Sequence, residues 1–481
     1  MVNSIRSYYK YNFRQQLDFK YRLYQLSKIK DLYQRVHMAQ SLMYYAVSHG
    51  VGYYSCRELE APFLDLARQL PIKKRVEYVP DSCLHVMTQA YTSGGHTRVV
   101  ERWLSISSCK QKHSVVLLDQ GDFPIPESLE METARHSGEL FMCKGKTLVE
   151  RAQYLREIAQ QYEYVILHIH MHDPTAIVAF GTNEFKRPVI LYNHADHLYW
   201  CGASIVDMLA DLRDNDYAEK WRMIRNHYSL RIPYASDVAL SNYPKTKEES
   251  RIALGLPLDK IILLTVGGSQ KYQPFAGIEF CNIVHDVIRN NRNALCLGMG
   301  PTNDVGNWGN YGEQFVALGT IPYGERYFDY LNACDIYIGS IPIEGGTAVL
   351  DAVQFKKPVL IYTPFKTELG EITKGIHVIH SLNKFRKSIL NLLESQLSRD
   401  VLAEYQRNMV EQYHGLENWK SNLEEMLNLT PKWHVVHLPI RNKCHRIDDL
   451  CILISLWNYE VKTDTVNIHD IYHTIKRWLR L

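Results

Sequence analysis

The sequence predicts an α/β protein of two tandem doubly wound domains, with a helical N-terminal extension and a C-terminal tail. Three observations carry that expectation. From Ser82 onward, short aliphatic runs alternate with amphipathic segments, the rhythm of a parallel sheet with helices on both faces. The rhythm stops in a polar stretch, residues 245–260, and then restarts. The length, 481 residues, suits two to four domains of about 100–200 residues each.

Composition narrows the class. Lys plus Arg number 55 and Asp plus Glu 52, a net charge of +3 that gives no general attraction to nucleic acid. Hydrophobic residues make up 46% and charged residues 22%, which is ordinary for a globular chain and excludes disordered or fibrous classes. No apolar run reaches the roughly 18 residues a membrane helix needs. The ten cysteines include no C-x-x-C pair, and the first residues hold no apolar core of a secretory signal. The expected location is the cytoplasm.

Taken in order, residues 1–80 form a basic, tyrosine-rich extension. Residues 1–36 carry eight Lys or Arg against two Asp, and ten of the 32 tyrosines fall before residue 55. Phe19, Leu23, Leu26, Ile29, Tyr33 and Val36 recur at helical spacing, so one or two amphipathic helices are expected. They either pack on the body or touch anionic lipid headgroups as a peripheral membrane contact.

Residues 81–245 form the first doubly wound domain. Strands are expected at 83–88, 114–118, 164–170, 188–193 and 237–241, and helices at 97–105, 148–160 and 204–213. Residues 246–428 form the second. Strands are expected at 260–266, 294–297, 314–318, 335–339 and 358–362, with helices at 275–289, 327–333 and 347–355 and helical sequence from about 381. Residues 429–481 are too apolar for a disordered tail and are expected to pack on the body.

The most informative motif is Glu344-Gly345-Gly346-Thr347 followed by Asp351. A strand ends and a glycine turn opens a helix. Its unpaired N–H groups and positive end suit an anion, most naturally phosphate. Thr347 can cap the helix and donate a hydroxyl. Asp351, one turn further, can accept from ribose hydroxyls. Each feature is also compatible with a plain capped turn. Gly94-Gly95-His96 makes a similar turn after the first strand. His168, His170 and His172 alternate along a strand and so share a face. Such a face can bind metal, but no metal site is assigned. His194 and Asp196, with His197, follow another strand. A His beside an Asp can act as a general base, the carboxylate orienting the ring.

In combination these motifs resemble the GT-B glycosyltransferases, whose two Rossmann-like domains face each other across a cleft. Gly-Gly-Thr, Asp351 and Lys357-Pro358-Val359 resemble their nucleotide-sugar donor motif. The 254–268 segment, ending at Gly267 and Gly268, is similar to the entry of the donor domain. Lys271 resembles the lysine that pairs with the donor diphosphate, and the loop holding Tyr323 resembles the one that holds the base. The resemblance covers roughly residues 82–425 and is closest to bacterial family 4-like members. One departure is that the acid following Glu344 is Asp351, one residue short of a frequent spacing of two glutamates.

The resemblance implies a nucleoside diphosphate sugar bound by the C-terminal domain through Gly267, Gly268, Lys271, Tyr323, Glu344, Gly345, Gly346, Thr347 and Asp351, with Gly94 and Gly95 approaching it from the other domain. It implies acceptor contacts at Asp173 and His197. His194, His96, Asp196 and His172 are the candidates near the reacting carbon. No cofactor or metal is expected beyond the donor. The acceptor would be a glycan, a lipid-linked molecule or a protein, with surface polysaccharide assembly at the inner face of the membrane as the analogous setting. A sugar-nucleotide epimerase of the same fold and a non-catalytic GT-B subunit binding a partner enzyme or glycan are the alternatives.

Overall fold

A computed structural model describes residues 5–71, 76–92, 95–195, 198–212, 228–233, 235–236, 240, 242–344, 346–365 and 375–437. The chain divides into two compact units, built chiefly from Tyr9–Ile232 and Pro233–Trp419.

The first unit holds strands β1 (Val79–Met87), β2 (Lys112–Leu117), β3 (Leu140–Met142), β4 (Tyr162–His168), β5 (Val189–Tyr192), β6 (Met208–Asp211) and β7 (Tyr228–Arg231). They pair in the order β3-β2-β1-β4-β5-β6-β7, every pair parallel. The order reverses between β1 and β4. In an open parallel sheet the loops leaving the strands diverge at that point and leave room for a ligand. The central strands are near-continuous apolar runs because both faces are covered. One cover is the helix Gly95–Ile106, which buries Val99, Val100, Trp103 and Leu104.

Three helices precede this sheet: α1 (Ile5–Lys28), α2 (Leu32–His49) and α3 (Arg57–Gln69). Phe19, Leu26, Val36, Leu42, Met43, Leu59 and Phe63 join the same core as β1 and β4. The extension is thus continuous with the sheet's hydrophobic core. Buried polar side chains tie it further. Arg156 donates to the carbonyls of Ala67, Leu70, Val178 and Ala179 at 2.6–3.0 Å. At the other end of the chain His434 is buried between Asp207 and the carbonyl of Phe180, each 2.8 Å away.

The second unit repeats the plan with β8 (Ile261–Val266), β9 (Ala294–Met299), β10 (Phe315–Gly319), β11 (Ile336–Ile338), β12 (Val359–Tyr362) and β13 (Val378–Ile379). The order is β10-β9-β8-β11-β12-β13, all parallel, so its reversal lies between β8 and β11. Helices Leu382–Glu394 and Gln396–His414 follow.

Three local expectations are corrected. The segment around 204–213 contains the buried strand β6 instead of a helix. Asp207 and Asp211 have helical spacing, but Met208, Leu209 and Ala210 between them form a short apolar run that both sheet faces bury. The helix expected from Phe275 starts at Phe280, because Ala276 and Gly277 take positive φ angles of 49° and 83°. Strand β4 ends at His168, so His170 and His172 lie in the loop beyond it and do not share a strand face with it. Most of the strand expected at 237–241 lies outside the described residues.

Candidate active site

In the second unit, the loops leaving β8 and β11 meet at the strand-order reversal. Strand β8 runs into Gly267, Gly268 and a short turn Ser269–Tyr272 that carries Lys271. Strand β11 runs through Ser340 and Glu344 into the helix Gly346–Gln354. The Lys271 ammonium donates to the backbone carbonyl of Glu344 at 2.9 Å, which places it just before that helix. Burial depresses the ammonium to about 8, an effect the Glu344 carboxylate partly opposes. A cation and a helix N-terminus therefore converge on one spot, the electrostatic arrangement an anion requires.

The glycines let the loops approach this closely. A Cβ on Gly300, which has φ +108°, would lie 1.9 Å from the Gly267 carbonyl oxygen. A Cβ on Gly267 would meet the Lys271 side chain at 3.0 Å and Ser340 Oγ at 3.2 Å. Ser269 Oγ donates to the Gly300 carbonyl at 2.8 Å and closes the pair of loops.

Thr347 is exposed on the first turn of the helix and Asp351 is buried one turn below. Asp351 accepts a hydrogen bond from Tyr327 Oη at 3.0 Å. Tyr327 in turn contacts Tyr323, with ring centroids 5.1 Å apart. The loop after β10 is thereby tied to the helix of the glycine turn. The structure brings together Gly267, Gly268, Lys271, Glu344, Gly346, Thr347, Asp351 and Tyr323. Gly345 lies outside the described residues. Tyr327 was missed, since its relation to Asp351 spans 24 residues of sequence.

The first unit has its own cluster at the β1/β4 reversal. Gly95 and His96 open a helix after β1, and Gly94 lies outside the described residues. The His96 ring stacks on His194 with centroids 4.2 Å apart, and His170 lies 6.3 Å from it. Asp173 accepts from Thr88 Oγ at 2.7 Å and from both the amide and hydroxyl of Thr175, so it fastens the β4 loop to the end of β1. His172 meets Tyr44 edge-on at 5.4 Å. Asp196 and His197 lie outside the described residues.

Behind His194 lies His168, which the sequence singled out, and beyond it His85 and His113, which it did not. His194 Nε2 lies 2.9 Å from His168 Nδ1. His168 Nε2 lies 3.1 Å from His85 Nδ1, and His85 Nε2 lies 2.9 Å from His113 Nδ1. Strand register explains the alignment. His85 pairs with Ile166 and Val115, so His85, His168 and His113 occupy one sheet face. Burial holds these rings neutral, pushing His113 and His168 down to about 3 and His96 to about 4. His85 and His194 are pushed well below the usual imidazole range for the same reason. The only sequence signal for His85 and His113 was a lone histidine in each of two short strands. Among the described residues, no group of three or more His, Cys, Asp or Glu is placed to hold a metal ion.

No family model matches the chain, and no curated protein matches it. Solved structures do. HepE of Anabaena, in a complex with UDP and glucose, superimposes with a TM-score of 0.52 at 14% identity, over 72% of this chain and 99% of that one. A glycosyltransferase of Rickettsia africae gives 0.52 at 12% identity, over 73% of this chain and 100% of that one. An O-GlcNAc transferase mutant of Thermobaculum terrenum gives 0.50 at 13% identity, over 85% of this chain and 81% of that one. With two doubly wound parallel sheets in tandem, each reversing its strand order once, the chain has the GT-B glycosyltransferase fold.

Proposed function

We propose that this chain is a glycosyltransferase that moves a hexosyl group from a nucleoside diphosphate sugar to a hydroxyl of a glycan, lipid-linked or protein acceptor. The observation that carries this reading is Lys271 held at the start of the helix Gly346–Gln354, at the strand-order reversal of its sheet. Negative charge grows on the departing diphosphate as the sugar leaves. A fixed cation and oriented amides at that point stabilise the transition state more than the ground state. In this reading Lys271 and the helix end supply that charge without a resident metal.

Asp351, oriented by Tyr327, accepts from the ribose, and Tyr323 lies beside the base. His194 and His96 serve the reacting carbon and the acceptor hydroxyl, His194 as a neutral imidazole that orients the hydroxyl. Asp173 and His197 stay with the acceptor side, and His172 and Asp196 stay candidates near the reacting carbon. UDP is the first nucleotide to test, since HepE was solved with UDP and with UDP-glucose.

The location proposed is the inner face of a membrane. Among the described residues no helix is long and apolar enough to cross one. Lys10, Phe13, Arg14, Lys20 and Lys28 fall on one side of α1, opposite its buried residues Asn12, Gln16, Phe19 and Leu26. Phe13 is 40% exposed within that basic stripe, the composition of a face that rests on anionic headgroups.

The experiment is a thermal-shift screen against UDP, GDP, CMP, TDP and their common sugars. A ligand in large excess over its Kd should stabilise the protein by about 2–4 kcal/mol. A shift with one nucleotide, together with sugar transfer in a product assay, supports the reading. Conversion of the donor without any acceptor points to an epimerase. No shift with any nucleotide points to the non-catalytic subunit.

A further inference from the structure

The four-histidine chain in the first unit ends in a group that sets its direction. His113 Nε2 lies 2.9 Å from Gln111 Oε1, while the Gln111 amide nitrogen faces Cys83 Sγ at 3.9 Å. An amide oxygen only accepts, so His113 donates from Nε2 and its Nδ1 carries the lone pair. His85 must then donate from Nε2 to His113. His168 must donate from Nε2 to His85, and His194 from Nε2 to His168. A neutral imidazole has one N–H, so each assignment forces the next. His85, His113 and His168 are buried to 1% exposure or less, which leaves water little access to interrupt the series.

We propose that Gln111, His113, His85 and His168 form a tautomer lock that fixes His194 with its proton on Nε2 and its lone pair on Nδ1. The chain runs from the half-buried start of β2, across β1, to the end of β4 and the turn after β5. It carries a choice made at β2 to a histidine that follows β5, three strands away in the sheet. The Gln111 end also decides between a lock and a proton wire. A wire needs a terminal group that takes up the proton, and an amide oxygen is not basic enough. His85, His113, His168 and Gln111 are therefore positioning residues that act through His194. A role for His194 in sugar transfer rests on the function proposed above, whereas its tautomer does not.

The test is long-range 1H–15N correlation on the full chain labelled with 15N-histidine at pH 7.5, with His194 assigned by the signals lost in His194→Gln. The expected wild-type pattern is a protonated Nε2 and an unprotonated Nδ1. In Gln111→Leu and in His85→Phe the His194 signals should move to a tautomer mixture or to the Nδ1–H form. Gln111→Glu keeps an acceptor oxygen and should keep the wild-type pattern, which separates loss of direction from loss of folding. A wild-type His194 protonated on Nδ1 overturns the proposal. So does an unchanged His194 pattern in both Gln111→Leu and His85→Phe. Turnover of a donor, measured separately, reports on the transfer reading and leaves the tautomer result intact.

Discussion

Lys271 Nζ lies 2.9 Å from the carbonyl oxygen of Glu344, so a cation delivered by the loop after β8 is held at the turn that follows β11. The pairing fixes the ammonium beside the first turn of the helix Gly346–Gln354. Lys271→Ala should weaken UDP binding by about 10–100-fold, the range for losing one charge-assisted hydrogen bond. Isothermal titration calorimetry reads this directly. Because burial sets the ammonium near 8, affinity should also fall as pH rises from 7 to 9. Equal affinities at both pH values would remove Lys271 from the site.

Gly300 supports the same site through the backbone. With φ at +108° and the Gly267 carbonyl where a Cβ would stand, no side chain fits without moving one of the two loops. Gly300→Ala should destabilise the fold by about 2–4 kcal/mol from backbone strain and overpacking together. It should also lower nucleotide affinity, because the displaced Gly267 loop carries Lys271. Urea unfolding and calorimetry on one sample separate the two effects. Unchanged stability would mean that the loops are not in contact.

The glycine turns of the second unit were readable because their signals are local. The aliphatic run 261–266, the glycines after it and the Gly-Gly-Thr turn each declare a strand end or a helix start within a few residues. What the sequence hid were relations between strands. His85 and His113 are 28 residues apart and meet only through the β1–β2 register. A single histidine inside an apolar strand has no local pattern that distinguishes a packed ring from one member of a chain. Strand β6 was misread because two aspartates at helical spacing outweighed the three apolar residues between them. Asp207, within the segment expected to be helical, is buried and accepts from the Val189 amide at 2.8 Å.

The neutral imidazoles predict a particular acid sensitivity. His113 and His168 titrate near 3 when folded, against about 6.5 for an unperturbed imidazole, and His85 is shifted in the same direction. Between those values the unfolded chain binds more protons than the native one. Stability is therefore fully present above about 6.5 and is lost as pH falls toward 3. Each such imidazole contributes a slope of about 1.4 kcal/mol per pH unit inside that window. Urea unfolding between pH 7 and 5 should show a steep fall that becomes shallower in His85→Phe. A flat profile across that range would mean that the rings are not held neutral.

Glu60 gives the last prediction, because it anchors the chain just beyond the His194 turn. Its two carboxylate oxygens accept from the amides of Gly202 and Ala203 at 3.0 Å and Ser204 at 2.8 Å, and the side chain is fully buried. Burial raises its pKa, while the three amides favour the ionised form. Trp200 and Cys201, immediately before these amides, line a small cavity with His170 and His194. Glu60→Ala leaves three buried N–H groups without their acceptor and should cost about 3–5 kcal/mol. Glu60→Gln keeps one oxygen, which can still accept from Gly202 and Ala203, but turns an NH2 toward Ser204. It should cost about 1–2 kcal/mol. Glu60→Met keeps the volume but removes the acceptor, so it should unfold close to Glu60→Ala, which separates acceptance from filling space. If Glu60→Met instead unfolds at the urea concentration of Glu60→Gln, Glu60 acts by filling space, and the loop beyond His194 is fixed by its apolar residues.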